Sequence, residues 1–173
     1  MARILTDAEI TELLAKEKNL PSGWRARLKL KEKPGAVQLG RELEIEARSG
    51  ESFIIRCRKN KLNPLDFSVM LFYADGGNEY RLLRCNGKPP SGHTNCVEKL
   101  AGDPNYAFGM EFHVHCATQR YQEADRRIDG FAVPTQEYSD YATALEYFMK
   151  RTRCIDPDGE PEGPLLGMMG GTT

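Results

Sequence analysis

From Phe108 to Cys116 apolar and polar side chains alternate. Phe108, Met110, Phe112, Val114 and Cys116 fall on one side; Glu111, His113 and His115 fall on the other. Successive side chains of a strand point to opposite faces, so the segment predicts a strand with one apolar face and one carrying carboxylate and imidazole groups. The same period recurs along the chain. Ala26, Leu28 and Leu30 oppose Arg25, Arg27, Lys29, Lys31 and Lys33, and Leu43, Ile45 and Ala47 oppose Glu42, Glu44 and Glu46. Phe53 to Lys59, Phe67 to Ala74 and Tyr80 to Cys85 lie between turn formers such as Ser49-Gly50, Asn63-Pro64 and Asp75-Gly76-Gly77-Asn78, and also read as strands. The histidine strand is then the sixth.

Thr6-Asp7-Ala8-Glu9 has the form of a capping box, and Ile10, Leu13 and Leu14 form a stripe behind it. A helix from about Asp7 to Lys18 is expected. Ser139 could cap a second helix, Asp140 to Arg151, with Tyr141, Ala144, Leu145 and Phe148 on one side. The expected fold is α+β: a mostly antiparallel β-sheet of about six strands, with an N-terminal helix and a C-terminal helix packed on it. Residues 1–155 form the expected single domain; 156–173, rich in glycine and proline without periodicity, form an expected disordered tail.

A chain of 173 residues can bury a core without staples. Its net charge of −1 argues against a protein that works mainly by neutralising phosphates. Five cysteines without motif spacing read as thiols in a reducing compartment. No apolar run has membrane-spanning length, and the N-terminus lacks the apolar core of a secretory signal. A soluble cytoplasmic protein, with no membrane partner, is the expectation. The cations of the first strand, the glutamates of the second and Arg56 and Arg58 of the third predict alternating charged rows, a self-neutralising face rather than a nucleic-acid surface. Lys59 and Lys61 remain as a small unpaired basic site, which with Lys88 could bind substrate.

The three histidines are the chain's best clue to chemistry. A zinc ion could bridge His113 and His115, with a third ligand from His93 or Glu111. His-x-His is only half a site, however, and the loop adds only Cys96 and Asp103 as candidates; no metal and no cofactor is assigned. Metal-free acid–base work is the sharper expectation. His113 and His115 would act as acid and base, Arg120 would stabilise phosphate, and His93 and Tyr121 would assist, a set suited to cleaving RNA through its 2′-hydroxyl. The alternative is that the histidines are hydrogen-bonded and inert, or form part of a protein-binding surface. Cys116 points to the apolar side and is a poor nucleophile. No phosphate-loop or nucleophile-elbow pattern is present.

Leu5-Thr6-Asp7-Ala8-Glu9, Arg81-Leu82-Leu83-Arg84-Cys85-Asn86-Gly87, His93-Thr94-Asn95, and the run from Phe112 to Tyr121 resemble an uncharacterised bacterial family (domain of unknown function 6978). Pro134-Thr135 followed by Tyr138-Ser139-Asp140 belongs to the same resemblance, which extends to about Cys154. It implies that the His93 to Tyr121 constellation is shared with the family, and it transfers no activity. Small bacterial proteins of this kind often belong to phages, mobile elements or toxin–antitoxin loci, an association only. Two functions therefore stand: a small RNA-cleaving enzyme of toxin type, and a non-enzymatic protein-binding module such as a mobile-element inhibitor of a host complex. Partners are RNA for the first and a protein for the second; the oligomeric state is open.

Overall fold

The computed structural model describes residues 3–32 and 35–159. The elements run α1 (Asp7–Ala15), β1 (Lys18–Asn19), α2 (Trp24–Arg27), β2 (Lys31–Glu32), β3 (Gln38–Ala47), β4 (Ser52–Asn60), β5 (Phe67–Asp75), β6 (Asn78–Asn86), β7 (His93–Thr94), α3 (Cys96–Ala101), β8 (Ala107–Phe108), β9 (His113–Cys116), α4 (Gln119–Glu123), β10 (Phe131–Pro134), α5 (Tyr141–Arg151) and β11 (Cys154–Ile155). The fold is α+β with a mostly antiparallel sheet. That sheet has nine strands rather than six, in the order β10-β9-β6-β5-β4-β3-β1-β11 with β2 beside β3. The pair β1–β11 is parallel, and β7 with β8 forms a separate ribbon.

Strand β3 alternates as the sequence does, whereas Phe67 to Phe72 of β5 are buried on both faces. Leu43 and Ile45 of β3, Phe53, Ile55 and Cys57 of β4, Phe67, Val69 and Leu71 of β5 and Val114 of β9 turn to one face. Ile10 and Leu13 of α1 and Ala144, Phe148 and Met149 of α5 join them in one buried cluster. Glu9 and Thr6 cap α1 reciprocally, at 2.8 Å from the Thr6 amide to the Glu9 carboxylate. The cap of α5 is Asp140, one residue later than expected, its Oδ1 accepting from the Thr143 amide at 2.8 Å.

Four departures from expectation have physical causes. The expected basic strand does not run through from Arg25: Trp24–Arg27 is helical, and among the described residues of this stretch only Lys31–Glu32 pairs as a strand. Trp24 and Leu28, four residues apart and both buried, put the start of this stretch into a short helix, which takes Arg25 and Arg27 out of the expected row of cations. The expected strand Phe108–Cys116 splits into β8 and β9 at Gly109, where the Glu111 amide turns back to the Gly109 carbonyl at 2.9 Å. Lys61 is not unpaired, since Glu32 meets it at 2.9 Å. Asp156 and Asp158, inside the expected tail, are anchored to Arg25 at 2.7 Å and to the Gly23 amide at 2.6 Å. The rest of that segment, 160–173, lies outside the described residues.

A bulge in β6 shapes the other face. Leu71 pairs with Leu83 and Phe72 with Arg81, which leaves Leu82 as an extra, fully buried residue. Arg81 and Arg84, three apart, therefore both reach Asp129 on the face away from α1 and α5. The same face carries Arg56, held by its cross-strand partner Glu42 at 2.5 Å and by Glu79 at 3.0 Å. Among the described residues no helix is long and apolar enough to cross a membrane.

Candidate metal centre

His113 and His115 sit two apart on β9 and so share the face opposite Val114. Register supplies their neighbours: Asn86 and Arg84 on β6, and Pro134 and Ala132 on β10. Both imidazoles are 1% exposed. The ribbon β7–β8 folds over them. His93 pairs with Phe108, and its ring lies 4.6 Å from the His115 ring and 5.7 Å from that of His113, centroid to centroid. Gly92 makes this turn possible: its φ is +64°, and a Cβ there would stand 2.5 Å from the Phe108 carbonyl oxygen.

The roof is fixed by one side chain. Asn95 accepts from the Ala132 amide and donates to the Ala132 carbonyl, both at 2.8 Å, so its amide pairs with the edge of β10 as a strand would. Its Oδ1 also lies 3.1 Å from Nε2 of His93, and the Gly130 carbonyl lies 3.1 Å from the same nitrogen. Nε2 of His93 is therefore the protonated nitrogen, donating to both oxygens. Nδ1 of His113 donates to the Glu111 carbonyl at 2.7 Å, and Nδ1 of His115 to the Asp129 carbonyl at 2.9 Å.

Each ring thus keeps one nitrogen with a lone pair: Nδ1 of His93 and Nε2 of His113 and His115. One nitrogen from each of the three rings lies within 4.8 Å of the other two. Two lone pairs have a partner, because Nδ2 of Asn86 donates to Nε2 of His113 at 3.2 Å and of His115 at 3.3 Å. The Asn86 Oδ1 in turn accepts from Ser68 Oγ at 2.8 Å. Nη2 of Arg84 lies 3.0 Å from the same Nδ1 of His115, where with Nδ1 protonated two donors meet, and Asp129 holds the guanidinium from its other side at 2.9 Å.

Burial lowers the pKa of all three rings: His113 to about 4, and His115 much further, with Arg84 adding to the effect. At neutral pH the centre is three uncharged imidazoles. None is a stored proton donor, whereas neutral imidazole is the form that ligates metal. The depression also sets a stability effect. A histidine whose folded pKa lies below its unfolded value stabilises the fold above the unfolded pKa and loses that contribution as pH falls through the folded one. Chemical denaturation of the metal-free protein should show stability falling between pH 6.5 and 4, by about 3 kcal/mol for His113. The same titration of His113→Gln should be correspondingly shallower over that range.

The other expected site residues lie elsewhere. Arg120 pairs with Glu98 of α3 and covers the Phe131 ring at 4.8 Å. Tyr121 is fully buried and donates its hydroxyl to Glu98 Oε2 at 2.6 Å. These two fasten α4 to α3 and make no hydrogen bond or ion pair with the histidines. Lys59 lies 5.8 Å from the Tyr141 ring and Lys88 4.7 Å from that of Phe112; neither converges on the imidazoles. Glu111 contributes its carbonyl rather than its exposed side chain. Of the possible third ligands, His93 joins the cluster, and Glu111, Cys96 and Asp103 do not. Sequence reasoning missed Asn86, Asn95, Arg84 and Asp129. No family model, no curated protein and no solved structure matches the chain, so its chemistry is read from these side chains alone.

Proposed function

We propose that the chain is a metal-binding module in which His93, His113 and His115 hold one divalent transition-metal ion. The ion would fasten the segment from Gly87 to Phe108 onto the sheet. One observation carries the reading: each ring has one nitrogen engaged by oxygen acceptors, the support that orients metal-ligating histidines, and one nitrogen from each ring lies within 4.8 Å of the other two. Imidazole suits zinc, copper, nickel and iron; zinc, redox-inert and tolerant of three histidines, fits a closed site best. A tetrahedral zinc with Zn–N bonds of about 2.1 Å sets nitrogens about 3.4 Å apart. Reaching that from within 4.8 Å takes a closure of up to about 1.4 Å, which the short β7–β8 ribbon carrying His93 can supply.

The burial favours a fastening role over hydrolysis. Catalytic zinc keeps an open coordination position, but His113 and His115 lie beneath the ribbon at 1% exposure. On this reading the protein works by binding a partner rather than by turning over a substrate.

Protein purified in metal-free buffer and titrated with zinc should take up one equivalent. His113→Ala and His115→Ala should not, and chelation should open the segment Gly87 to Phe108 to limited proteolysis. No zinc uptake by the wild type overturns the reading. Incubation with mixed RNA separates it from acid–base chemistry: chelator-insensitive cleavage that is lost in His115→Ala would establish a small metal-free ribonuclease instead.

A further inference from the structure

Asn86 stands against the centre at the side where two of the three ligands, His113 and His115, turn their Nε2 atoms to it. It is 9% exposed, and its backbone is pinned: the Tyr138 hydroxyl contacts the carbonyl oxygens of both Asn86 and His113, at 3.0 and 2.8 Å. Its amide is held on both sides. Nδ2 donates to Nε2 of His113 and of His115, while Oδ1 accepts from Ser68 Oγ. The two imidazole lone pairs that a metal needs thus face the two hydrogens of one amide group.

We infer that Asn86 is both the placeholder for the metal and its fourth ligand, exchanged by a half-turn of the amide about Cβ–Cγ. This rests on the tris-histidine reading above. The amide nitrogen and oxygen are nearly the same size, so the half-turn needs no movement of the backbone. Oδ1 then stands between the two Nε2 atoms, where an oxygen donor completes three imidazoles to a tetrahedral set. Nδ2 takes the place beside Ser68, whose hydroxyl can accept as readily as it donates. No bond is made or broken in the chain, and no proton leaves it: two N–H···N hydrogen bonds give way to three N–metal bonds and one O–metal bond.

The arrangement has consequences that a passive asparagine would not. Metal must displace two hydrogen bonds to enter, so the native amide holds affinity down. Asn86→Asp removes the competing donors and leaves an anionic oxygen in reach, so it should bind zinc at least about tenfold more tightly than wild type. Asn86→Leu loses the fourth ligand and should bind about ten- to a hundredfold more weakly.

The experiment is titration with cobalt(II) and zinc of the wild-type chain, Asn86→Asp, Asn86→Leu and Ser68→Ala. Visible absorption of the cobalt forms reports coordination geometry. The expected result is intense tetrahedral bands in wild type and Asn86→Asp, and weaker, shifted bands in Asn86→Leu, where water replaces the amide oxygen. Ser68→Ala removes the partner of the turned amide and should leave the bands tetrahedral. Equal affinity and identical bands in wild type, Asn86→Asp and Asn86→Leu would overturn the role of Asn86 while leaving the three histidines as ligands. If Asn86→Leu does not fold, unchanged affinity in Asn86→Asp overturns it alone. No cobalt or zinc bound by the wild type would overturn the tris-histidine reading, and this one with it.

Discussion

Lys18→Met lowers the unfolding free energy by about 3–5 kcal/mol, the largest loss expected from any lysine among the described residues. Lys18 is fully buried, and its ammonium donates to the carbonyls of Leu13 at 2.9 Å, Lys16 at 2.8 Å and Thr152 at 2.9 Å, with Leu14 at 3.3 Å. The ring of Phe53 lies 4.6 Å below it. Leu13 and Leu14 belong to the last turn of α1, Lys16 is its C-cap and Thr152 is the C-cap of α5. Two helix C-termini, each with unpaired carbonyls and the negative end of its dipole, therefore converge on one cation.

Burial lowers the pKa of Lys18 to about 8, so it is still mostly protonated at pH 7. Methionine fills the same space and leaves the carbonyls without a donor. Each buried, unsatisfied acceptor costs about 1–3 kcal/mol, and some of that is recovered when water or a shifted turn reaches it. Against a typical stability of about 5–15 kcal/mol the loss is severe, and the midpoint of thermal unfolding should fall by about 10 °C. Lys29→Met, an exposed lysine on the same part of the chain, should change stability by less than about 0.5 kcal/mol. Guanidinium denaturation of the two variants beside wild type decides it. A loss below about 1 kcal/mol for Lys18→Met would mean that the two helix ends find other donors.

The contrast between these two lysines marks what a sequence carries. Nothing in the pattern around Lys18 distinguishes it from Lys29, because what separates them is contact with Thr152, more than a hundred positions away. The long strands were legible, since their apolar runs lie between clear turn formers, and the shared face of His113 and His115 followed from the alternation of their own strand. The short strands were not: two residues have no period, so β1, β2, β7 and β11 exist through the register of their partners. The commonest use of asparagine is in turns, yet Asn86 contacts two imidazoles and Asn95 pairs with a strand edge. Arg120 and Tyr121 follow the histidine strand so closely that proximity in sequence suggested proximity in space. Thr118 caps α4 at that point, and the new helix carries both side chains to Glu98 instead. Arg84 was hidden by the bulge at Leu82, which changes the face of every residue on one side of it.

That bulge sets the second large effect. Asp129 is 1% exposed, and its carboxylate is the shared partner of Arg84, at 2.9 Å, and Arg81, at 3.3 Å. Asp129→Asn keeps the shape and removes the charge, which leaves two guanidinium groups facing each other in a mostly buried site. Burial already lowers the pKa of Arg84 to about 10, with the carboxylate in place. Breaking such a set by removing one partner costs about 3–5 kcal/mol, because the remaining charge is stranded. The histidine centre should feel the same change, since Nη2 of Arg84 stands 3.0 Å from the His115 ring. An uncompensated cation there repels a divalent metal, and zinc affinity should fall about ten- to a hundredfold. Arg84→Met in the Asp129→Asn background removes the stranded charge, so the double variant should be more stable than Asp129→Asn alone and should recover zinc affinity. Recovery of stability without recovery of affinity would show that Asp129 supports the metal through the position of its carbonyl on His115 rather than through its charge. No loss of either in Asp129→Asn would show that both arginines reach water.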